Sequence, residues 1–306
     1  MPKPTTSLYD RWCGPVEKRP PLADAGGPYE IDEGSPLTLD GSGSSDPDGD
    51  LLAYFWDLDG DGEFDDATGM SPTIEWGDLV SLGIGDDGVY RLQLQVVDEH
   101  GAGDTADTTV TVNNLAPTLS ELSATPIWEN ETTTLSGTIA DLGTLDTFKV
   151  EIDWDADGTV DETHTGLSAG TFSYAHQYLD DNPTGTPSDE YTITVTVADD
   201  DTGTASASTA VTVNNVAPVL AGLASTATFD SKADEGETVT VSATFTDVGT
   251  LDTHAATIDW GDGSPPEPAT VIQGGGSGAV SAAHAYAHGG VFTVTLTLTD
   301  DDTGQD

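Results

Sequence analysis

Cysteine is nearly absent from this sequence. Cys13 is the only one in 306 residues, so no disulfide forms within the chain, and its domains must be held together by apolar cores or bound ions. Cys13 is either an exposed thiol or the partner of a cysteine in another chain.

Basic residues are scarce as well. Seven lysines and arginines face 55 aspartates and glutamates, which gives a formal net charge of −48. Such a surface repels phosphate groups and anionic lipids, so nucleic acids and membrane surfaces are poor partners. The same self-repulsion lowers folding stability unless cations neutralise part of it, and we therefore expect bound calcium or a saline medium.

Long apolar runs are missing too. No stretch approaches the roughly eighteen apolar residues that a membrane-spanning helix needs. The first residues, MPKPTTSLYDRWCGP, lack the apolar segment of a secretion signal. The sequence therefore predicts no membrane insertion and shows no export route, and an intracellular location stays open at this stage.

What the chain has in abundance is internal repetition. NNLAP at 113–117 returns as NNVAP at 214–218, and three late strands that begin at Tyr90, Tyr191 and Phe292 end in similar acidic turns. Repetition at this period indicates tandem domains. We predict a basic arm followed by three domains, over residues 1–20, 21–114, 115–215 and 216–306.

Each domain reads as a β-sandwich of about seven strands. Ile193, Val195 and Val197 alternate with threonines, which predicts one face in the core and the other in water. The third domain lacks the last strand that follows in the second. Either the natural array is longer, or a strand from a neighbouring chain completes the sheet, with the arm over 1–20 as a candidate.

The segment from Ala23 to Gly62 resembles the first half of a PKD domain, an immunoglobulin-like repeat. It carries a Gly-Pro start, an Asp-Gly-Ser-Gly-Ser run, Asp-Pro-Asp-Gly-Asp, and a Trp-Asp strand that ends in Gly-Asp-Gly. The other two domains match less closely and keep the Asp-Trp strand with an Asp-Gly turn. The resemblance implies an all-β chain of three tandem immunoglobulin-like sandwiches, and the short proline-containing linkers favour an extended rod.

Aspartates at alternate positions suggest calcium loops. In each of the first two domains, three alternate aspartates are followed by a glycine and a fourth aspartate, which is how an EF-hand loop begins. The loops lack the closing glutamate of an EF-hand, and the alternative is that Asp-Gly turns simply end a strand. The candidate calcium ligands are Asp57, Asp59, Asp61, Asp65, Asp153, Asp155, Asp157 and Asp161.

A second set of candidate calcium ligands lies at the domain junctions. The late hairpin of a sandwich returns to the end where the linker enters, so its acidic turn should meet the linker asparagines and the acidic turn near the start of the domain. Solvated acidic turns are the alternative. The candidates are Asn113, Asn114, Asp199, Asp200, Asp201, Asn214, Asn215, Asp247, Asp300 and Asp301. The further acidic residues of these turns are Asp46, Asp48, Asp50, Asp98, Glu99, Asp141, Asp146, Asp252 and Asp302.

Other motifs favour structure over catalysis. Trp56, Trp154 and Trp260 occupy matching positions that predict a core role, and no nucleophile elbow, P-loop or dinucleotide fingerprint occurs. Asn130 begins an N-glycosylation sequon.

These features predict a non-enzymatic structural or adhesive protein, extracellular or on the cell surface and stiffened by calcium. Its expected partners are copies of itself, other surface proteins or glycans, and head-to-tail fibres formed by strand complementation are a further expectation. The alternative function is a carbohydrate- or protein-binding accessory region of a larger secreted enzyme.

Overall fold

The computed structural model describes residues 18–181 and 185–306. Residues 1–17, with Cys13 and most of the predicted arm, lie outside the described part. No helix within that part is long and apolar enough to cross a membrane. The chain forms two compact units. Unit 1 contains the described residues up to 117 with the loops 141–147 and 199–203, and unit 2 contains residues 118–140, 148–198 and 204–306.

Unit 1 is built from two long strands, several short strands and one short helix. Its elements are β1 (Tyr29–Asp32), β2 (Leu37–Thr38), β3 (Leu52–Asp57), β4 (Ala67–Thr68), β5 (Thr73–Ile74), α1 (Trp76–Ser81), β6 (Gly88–Asp98) and β7 (Gly103–Asn113). A five-stranded sheet has the order β1-β7-β6-β3-β4, and β2 pairs with β5. We call the segments 21–114, 115–215 and 216–306 the first, second and third repeats. β1 pairs with β7 in parallel, so the start of the first repeat is hydrogen-bonded to its last strand.

The second repeat contributes two sheets to unit 2. Its strands are β8 (Thr118–Ala124), β9 (Ile127–Trp128), β10 (Thr132–Ala140), β11 (Phe148–Asp153), β12 (Glu162–Leu167), β13 (Gly170–Gln177), β14 (Ser188–Ala198) and β15 (Thr204–Asn214). The sheets have the orders β13-β10-β8 and β12-β11-β14-β15-β9. Ile193, Val195 and Val197 on β14 are buried, which confirms the alternation predicted for this strand.

The third repeat forms one continuous sheet. Its strands are β16 (Val219–Ser225), β17 (Thr238–Thr246), β18 (His254–Asp259), β19 (Glu267–Gln273), β20 (Ser277–Ala285) and β21 (Thr295–Asp300), in the order β16-β17-β20-β19-β18-β21. Residues 267–269 of β19 pair with β18, whereas 270–273 pair with β20. β19 therefore joins strands that belong to separate sheets in the second repeat. On the edge of β21 that faces away from β18, the backbone groups of Leu298 and Asp306 exchange two hydrogen bonds.

Matching tryptophans occupy the three cores. Trp56, Trp154 and Trp260 are all buried, as their positions in the sequence predict. In the second repeat, His176 stacks on Trp154 with ring centroids 4.6 Å apart, and the Tyr178 hydroxyl donates to the Trp154 carbonyl oxygen (2.7 Å). His284 and Tyr286 repeat both contacts on Trp260. These histidines therefore have a packing role, and burial lowers the pKa of His176.

Candidate functional site

Acidic side chains, most of them wholly or partly buried, form two large groups among the described residues, which we call cluster 1 and cluster 2. Each combines the end of one repeat, the Asn-Asn linker and two loops of the next repeat. Cluster 1 lies in unit 1 and consists of Glu33, Asp86, Asp87, Asn114, Asp141, Asp146, Asp199 and Asp201. Cluster 2 lies in unit 2 and consists of Glu129, Asp180, Asp181, Asn215, Asp247, Asp252, Asp300 and Asp302.

A tight turn places the glutamate of cluster 1. Glu33 follows β1 and precedes Gly34, whose φ of +77° lies in the left-handed region that glycine favours. The Glu33 side chain is buried, with the residue 2% exposed. Its Oε2 accepts the N–H of Leu115 in the linker (3.0 Å), and its Oε1 is buried without a hydrogen-bond partner.

The late hairpin supplies a second carboxylate to cluster 1. Asp199 Oδ1 accepts the N–H groups of Asp201 (3.0 Å) and Gly203 (2.6 Å), which holds the acidic turn in place. Its Oδ2 accepts the side-chain N–H of Asn114 (3.1 Å). The other end of that amide, Asn114 Oδ1, is buried and has no partner.

Asp146 is a third carboxylate of cluster 1, and it has fewer hydrogen bonds than Glu33 or Asp199. The residue is 8% exposed, and neither carboxylate oxygen accepts a hydrogen bond. Glu33, Asp86 and Asp146 each have an oxygen within 4.8 Å of the others. Gly143 borders this space, because a Cβ atom there would collide with the Asp146 carboxylate.

Cluster 2 repeats the same hydrogen bonds one repeat further on. Glu129 is fully buried, its Oε1 accepts the N–H of Val216 (2.7 Å), and its Oε2 has no partner. Asp300 Oδ2 accepts the side-chain N–H of Asn215 (3.1 Å), and Asn215 Oδ1 is unpartnered. Both oxygens of Asp252 are buried without partners. One arrangement has thus formed twice from different residues.

Burial dominates the electrostatics of both clusters. Burial, reinforced by repulsion from Asp252 and Asp247, raises the pKa of Glu129 to about 8. Burial and nearby carboxylates likewise raise the pKa of Asp252 and Asp146 to about 7, and they raise the pKa of Glu33. These groups must therefore take up protons near neutral pH or be neutralised by a cation.

The donor atoms fit a hard divalent cation. Calcium takes six to eight oxygen ligands from carboxylates, amides and carbonyl groups, and both clusters present buried oxygens without partners. Gly249 repeats the role of Gly143, since a Cβ atom there would meet Glu129 Oε2 and both Asp252 oxygens. Zinc prefers nitrogen and sulfur ligands. The histidine beside cluster 2, His254, already bonds Asp247 (2.8 Å) and Gln273 (2.9 Å).

The structure sorts the predicted junction residues into two groups. Asn114, Asn215, Asp199, Asp201, Asp247 and Asp300 lie in the clusters. Asn113 instead donates to Glu30 and Asp32 (both 3.2 Å), and Asn214 donates to the Ile127 carbonyl oxygen (2.8 Å). Asp200 accepts the N–H of Thr147 and Asp301 that of Thr253, both at 2.8 Å. The last two aspartates therefore fix neighbouring loops.

Several cluster residues were not predicted as ligands. They are Glu33, Glu129, Asp86, Asp87, Asp180 and Asp181. The sequence does contain a signal for the glutamates. Glu33 precedes a glycine and Glu129 an asparagine, the residue types that favour positive φ, and both Gly34 and Asn130 have positive φ in the structure. Glu235 before Gly236 repeats that pattern in the third repeat.

The predicted calcium loop of the first repeat is closed by its own backbone. Buried Asp57 accepts the N–H groups of Gly60 (2.7 Å) and Gly62 (3.0 Å), and Asp59 and Asp61 accept N–H groups two residues further on. Asp65 is exposed. The neighbouring Asp66 caps the loop by accepting the N–H of Leu58 (2.6 Å).

The matching loop of the second repeat has most of the same hydrogen bonds. Asp153 accepts the N–H of Gly158 (2.9 Å) and Asp161 that of Trp154 (2.8 Å). Asp155 and Asp157 again accept N–H groups two residues on. These bonds explain the aspartates as turn caps, and calcium binding at both loops stays a prediction.

Two further features lie away from the clusters. Asn130, the predicted glycosylation site, has φ of +60° and accepts a hydrogen bond from Gln177 (3.0 Å) at its side-chain oxygen. A cleft of about 470 Å³ opens at the end of the third repeat and is lined by Phe229, Tyr286, Phe292, Asp234 and Glu237, among others.

The fold and these sites define a chain of tandem immunoglobulin-like β-sandwich repeats. A family model for the PKD domain matches residues 18–112 and 215–306, well over half of the sequence. The chain belongs to the PKD domain family. Repeats of this family are typically non-catalytic and are typical of extracellular or surface proteins.

Comparisons with curated proteins and with solved structures found only weak similarity. No curated protein matches the sequence. Titin domains I67–I69, in an E-to-A variant, align at 12% identity over 94% of this chain and 95% of theirs, with a TM-score of 0.39. A 1.5-MDa bacterial ice-binding adhesin aligns at 17% identity over 94% and 96%, with a TM-score of 0.28. At these scores the alignments carry no argument about function.

Proposed function

We propose that this chain is a non-enzymatic structural or adhesive protein of the cell exterior, in which calcium bound at clusters 1 and 2 locks consecutive repeats together. The observation that carries the proposal is the recurrence of one cage of buried, unpartnered carboxylate and amide oxygens in both clusters. The recurrence follows from the internal repetition of the sequence, and what favours a bound cation over solvated acidic turns is that both clusters leave buried oxygens without partners.

Each residue type in cluster 2 has a distinct task in this proposal. Asp252 and Glu129 supply the charged ligands, and Asn215 supplies a neutral oxygen from the linker. The Val216 N–H holds Glu129 and the Gly304 N–H holds Asp300 (2.6 Å), so the ligands keep their places when the metal leaves. Bound calcium would neutralise the mutual repulsion of the carboxylates and connect the second repeat to the third.

A pair of variants tests the cluster 2 site. Asp252→Asn removes one charge from the cage, whereas Asp301→Asn removes one charge from the neighbouring turn, where Asp301 accepts the Thr253 N–H. We expect calcium to raise the melting temperature of the wild-type chain and of Asp301→Asn, and to have a clearly smaller effect on Asp252→Asn. Equal calcium stabilisation of all three proteins would contradict the proposal.

Head-to-tail assembly by strand complementation is the second part of the proposed structural role. It rests on the donor arm predicted over residues 1–20, of which residues 1–17 lie outside the described part. Deleting residues 1–20 is expected to abolish polymers while leaving the monomer folded. Polymers of unchanged length in electron micrographs of the truncated protein would eliminate this mode of assembly.

The cleft of the third repeat supports the alternative role as an accessory binding module. The Phe229 side chain is exposed, with the residue 88% accessible, and Lys232 lies 5.8 Å from its ring centroid. An exposed aromatic ring beside carboxylates suits a polysaccharide, which stacks on the ring and hydrogen-bonds to the acids. Phe229→Ala should then abolish sedimentation with an insoluble polysaccharide such as cellulose or chitin, and absence of wild-type sedimentation with either would argue against this role.

A further inference from the structure

The first repeat has three aspartates that match those supplied to cluster 1 by the two loops of the second repeat. Asp98 Oδ1 accepts the N–H groups of His100 (2.8 Å) and Ala102 (2.9 Å), as Asp199 does from Asp201 and Gly203. Asp46 Oδ1 accepts the N–H of Asp48 (2.6 Å). By position in the repeat, Asp46, Asp50 and Asp98 correspond to Asp141, Asp146 and Asp199 of cluster 1.

A lysine of the protein contacts one aspartate of this third cage, Asp50. The Lys18 ammonium donates to both carboxylate oxygens of Asp50 at 2.7 Å, and the hydrogen bond to Asp50 raises the pKa of Lys18. His100 Nδ1 lies 3.3 Å from Asp50 Oδ2. Asp98 is 5% exposed, and its Oδ2 is buried and unpartnered, as is Asp46 Oδ2.

This cage differs from clusters 1 and 2 because a lysine contacts one of its aspartates, Asp50. Both oxygens of Asp146 and of Asp252, the matching residues, lack any partner, whereas both oxygens of Asp50 are held by one cation. Asp50, Asp98 and His100 have ligand atoms within 4.8 Å of one another, so the cage has the dimensions of a cation site.

We propose that Lys18 stands in for the metal ion, and that the first repeat holds a latent divalent-cation site which opens when this ammonium is withdrawn. The inference rests on the proposed calcium binding at clusters 1 and 2 and extends it. An ammonium is a compact point charge with three donors, so it compensates the charge of Asp50 without an ion from solution, while one oxygen each of Asp46 and Asp98 stays without a partner. The loops at 46–50 and 98–102 are then ordered at any calcium concentration.

An ordinary surface ion pair is the competing explanation, and Arg19 supplies the matched control for it. Arg19 donates to Asp48 (2.9 Å), which is not one of the three aspartates that match cluster 1, and its side chain is 62% exposed. The Lys18 side chain is 37% exposed. Lys18→Met and Arg19→Met remove equal charge from adjacent residues, but only the first leaves the cage carboxylates uncompensated.

Isothermal titration of the full chain with calcium chloride tests the inference. We expect Lys18→Met to bind one more calcium ion per chain than the wild type, Arg19→Met to bind the wild-type number, and Lys18→Met with Asp98→Asn to lose the additional ion. A folded Lys18→Met protein with the wild-type number of ions overturns the inference while leaving the proposed function intact. A wild-type chain that binds no calcium overturns the proposed function instead.

Hydrogen exchange on the wild-type chain gives a test that needs no variant. Calcium is expected to increase protection of the loops at 247–252 and 300–304 and to leave that of 46–50 and 98–102 unchanged. An equal increase in all four loops would show that calcium enters the third cage despite Lys18, and would overturn the inference.

Discussion

Replacing Glu129 by glutamine should have opposite effects in the presence and absence of calcium. In the calcium-free chain the carboxylate is fully buried among other acids, and its pKa rises from 4.5 to about 8. At pH 7 the folded chain must therefore hold a proton there that the unfolded chain releases. Over the roughly 2.5 pH units between 4.5 and 7, this costs about 3 kcal/mol.

Glutamine avoids that cost and retains an oxygen for the Val216 N–H. Glu129→Gln should thus stabilise the calcium-free chain by up to about 3 kcal/mol, which for a unit of this size is an increase in melting temperature of roughly 6–12 °C. With calcium the variant lacks a charged ligand, so its affinity for the ion at cluster 2 should fall by at least about tenfold.

Differential scanning calorimetry in chelator and in calcium measures both effects on the same protein. Glu131→Gln is the matched control, because Glu131 is exposed and accepts only the Trp128 N–H (3.1 Å) among the described bonds. The reasoning is refuted if Glu129→Gln lowers the melting temperature in chelator, or if Glu131→Gln produces the same reversal.

Three further predictions follow from the clusters and the cores. Because burial raises the pKa of Glu129 to about 8 and of Asp146 and Asp252 to about 7, the folded chain binds more protons than the unfolded chain. Its stability in chelator should therefore fall as the pH rises from about 4 to 8, and calorimetry in saturating calcium should show a flatter profile. Gly249→Ala should fill cluster 2 and weaken calcium binding in a titration although no carboxylate is removed, whereas Gly274→Ala, with open space around it, should bind as the wild type does. Trp56→Ala should destabilise unit 1 by about 3–5 kcal/mol in urea unfolding, while Ala at the half-exposed Trp128 should change stability by less than about 1 kcal/mol; equal losses would contradict the core assignment.

Local periodicity explains why so much of the fold is predictable. The alternation on β14 and the matching tryptophans depend on which face a residue occupies, and that is encoded in adjacent positions. The single sheet of the third repeat is different. It forms because β19 changes partners from β18 to β20 along its length, and no local pattern in residues 267–273 specifies two partners.

The location of the acidic clusters was predictable, but not every residue in them. The acidic hairpin turn and the linker asparagines indicate the junction, since both must lie at the end where the chain enters a sandwich. Which of two adjacent asparagines points inward depends on how the strand ends, and Asn113 and Asn114 take opposite directions. Glu33 and Glu129 come from the preceding repeat, so only the three-dimensional fold brings them to the aspartates.

A crystal structure of the full chain grown with calcium, with anomalous scattering used to locate the ions, tests the central claim most directly. Our account predicts a calcium ion in each of clusters 1 and 2, about 2.3–2.6 Å from its carboxylate ligands, with Glu33 and Asp146 binding in the first and Glu129 and Asp252 in the second. Clusters that contain only water in crystals grown with millimolar calcium would contradict it.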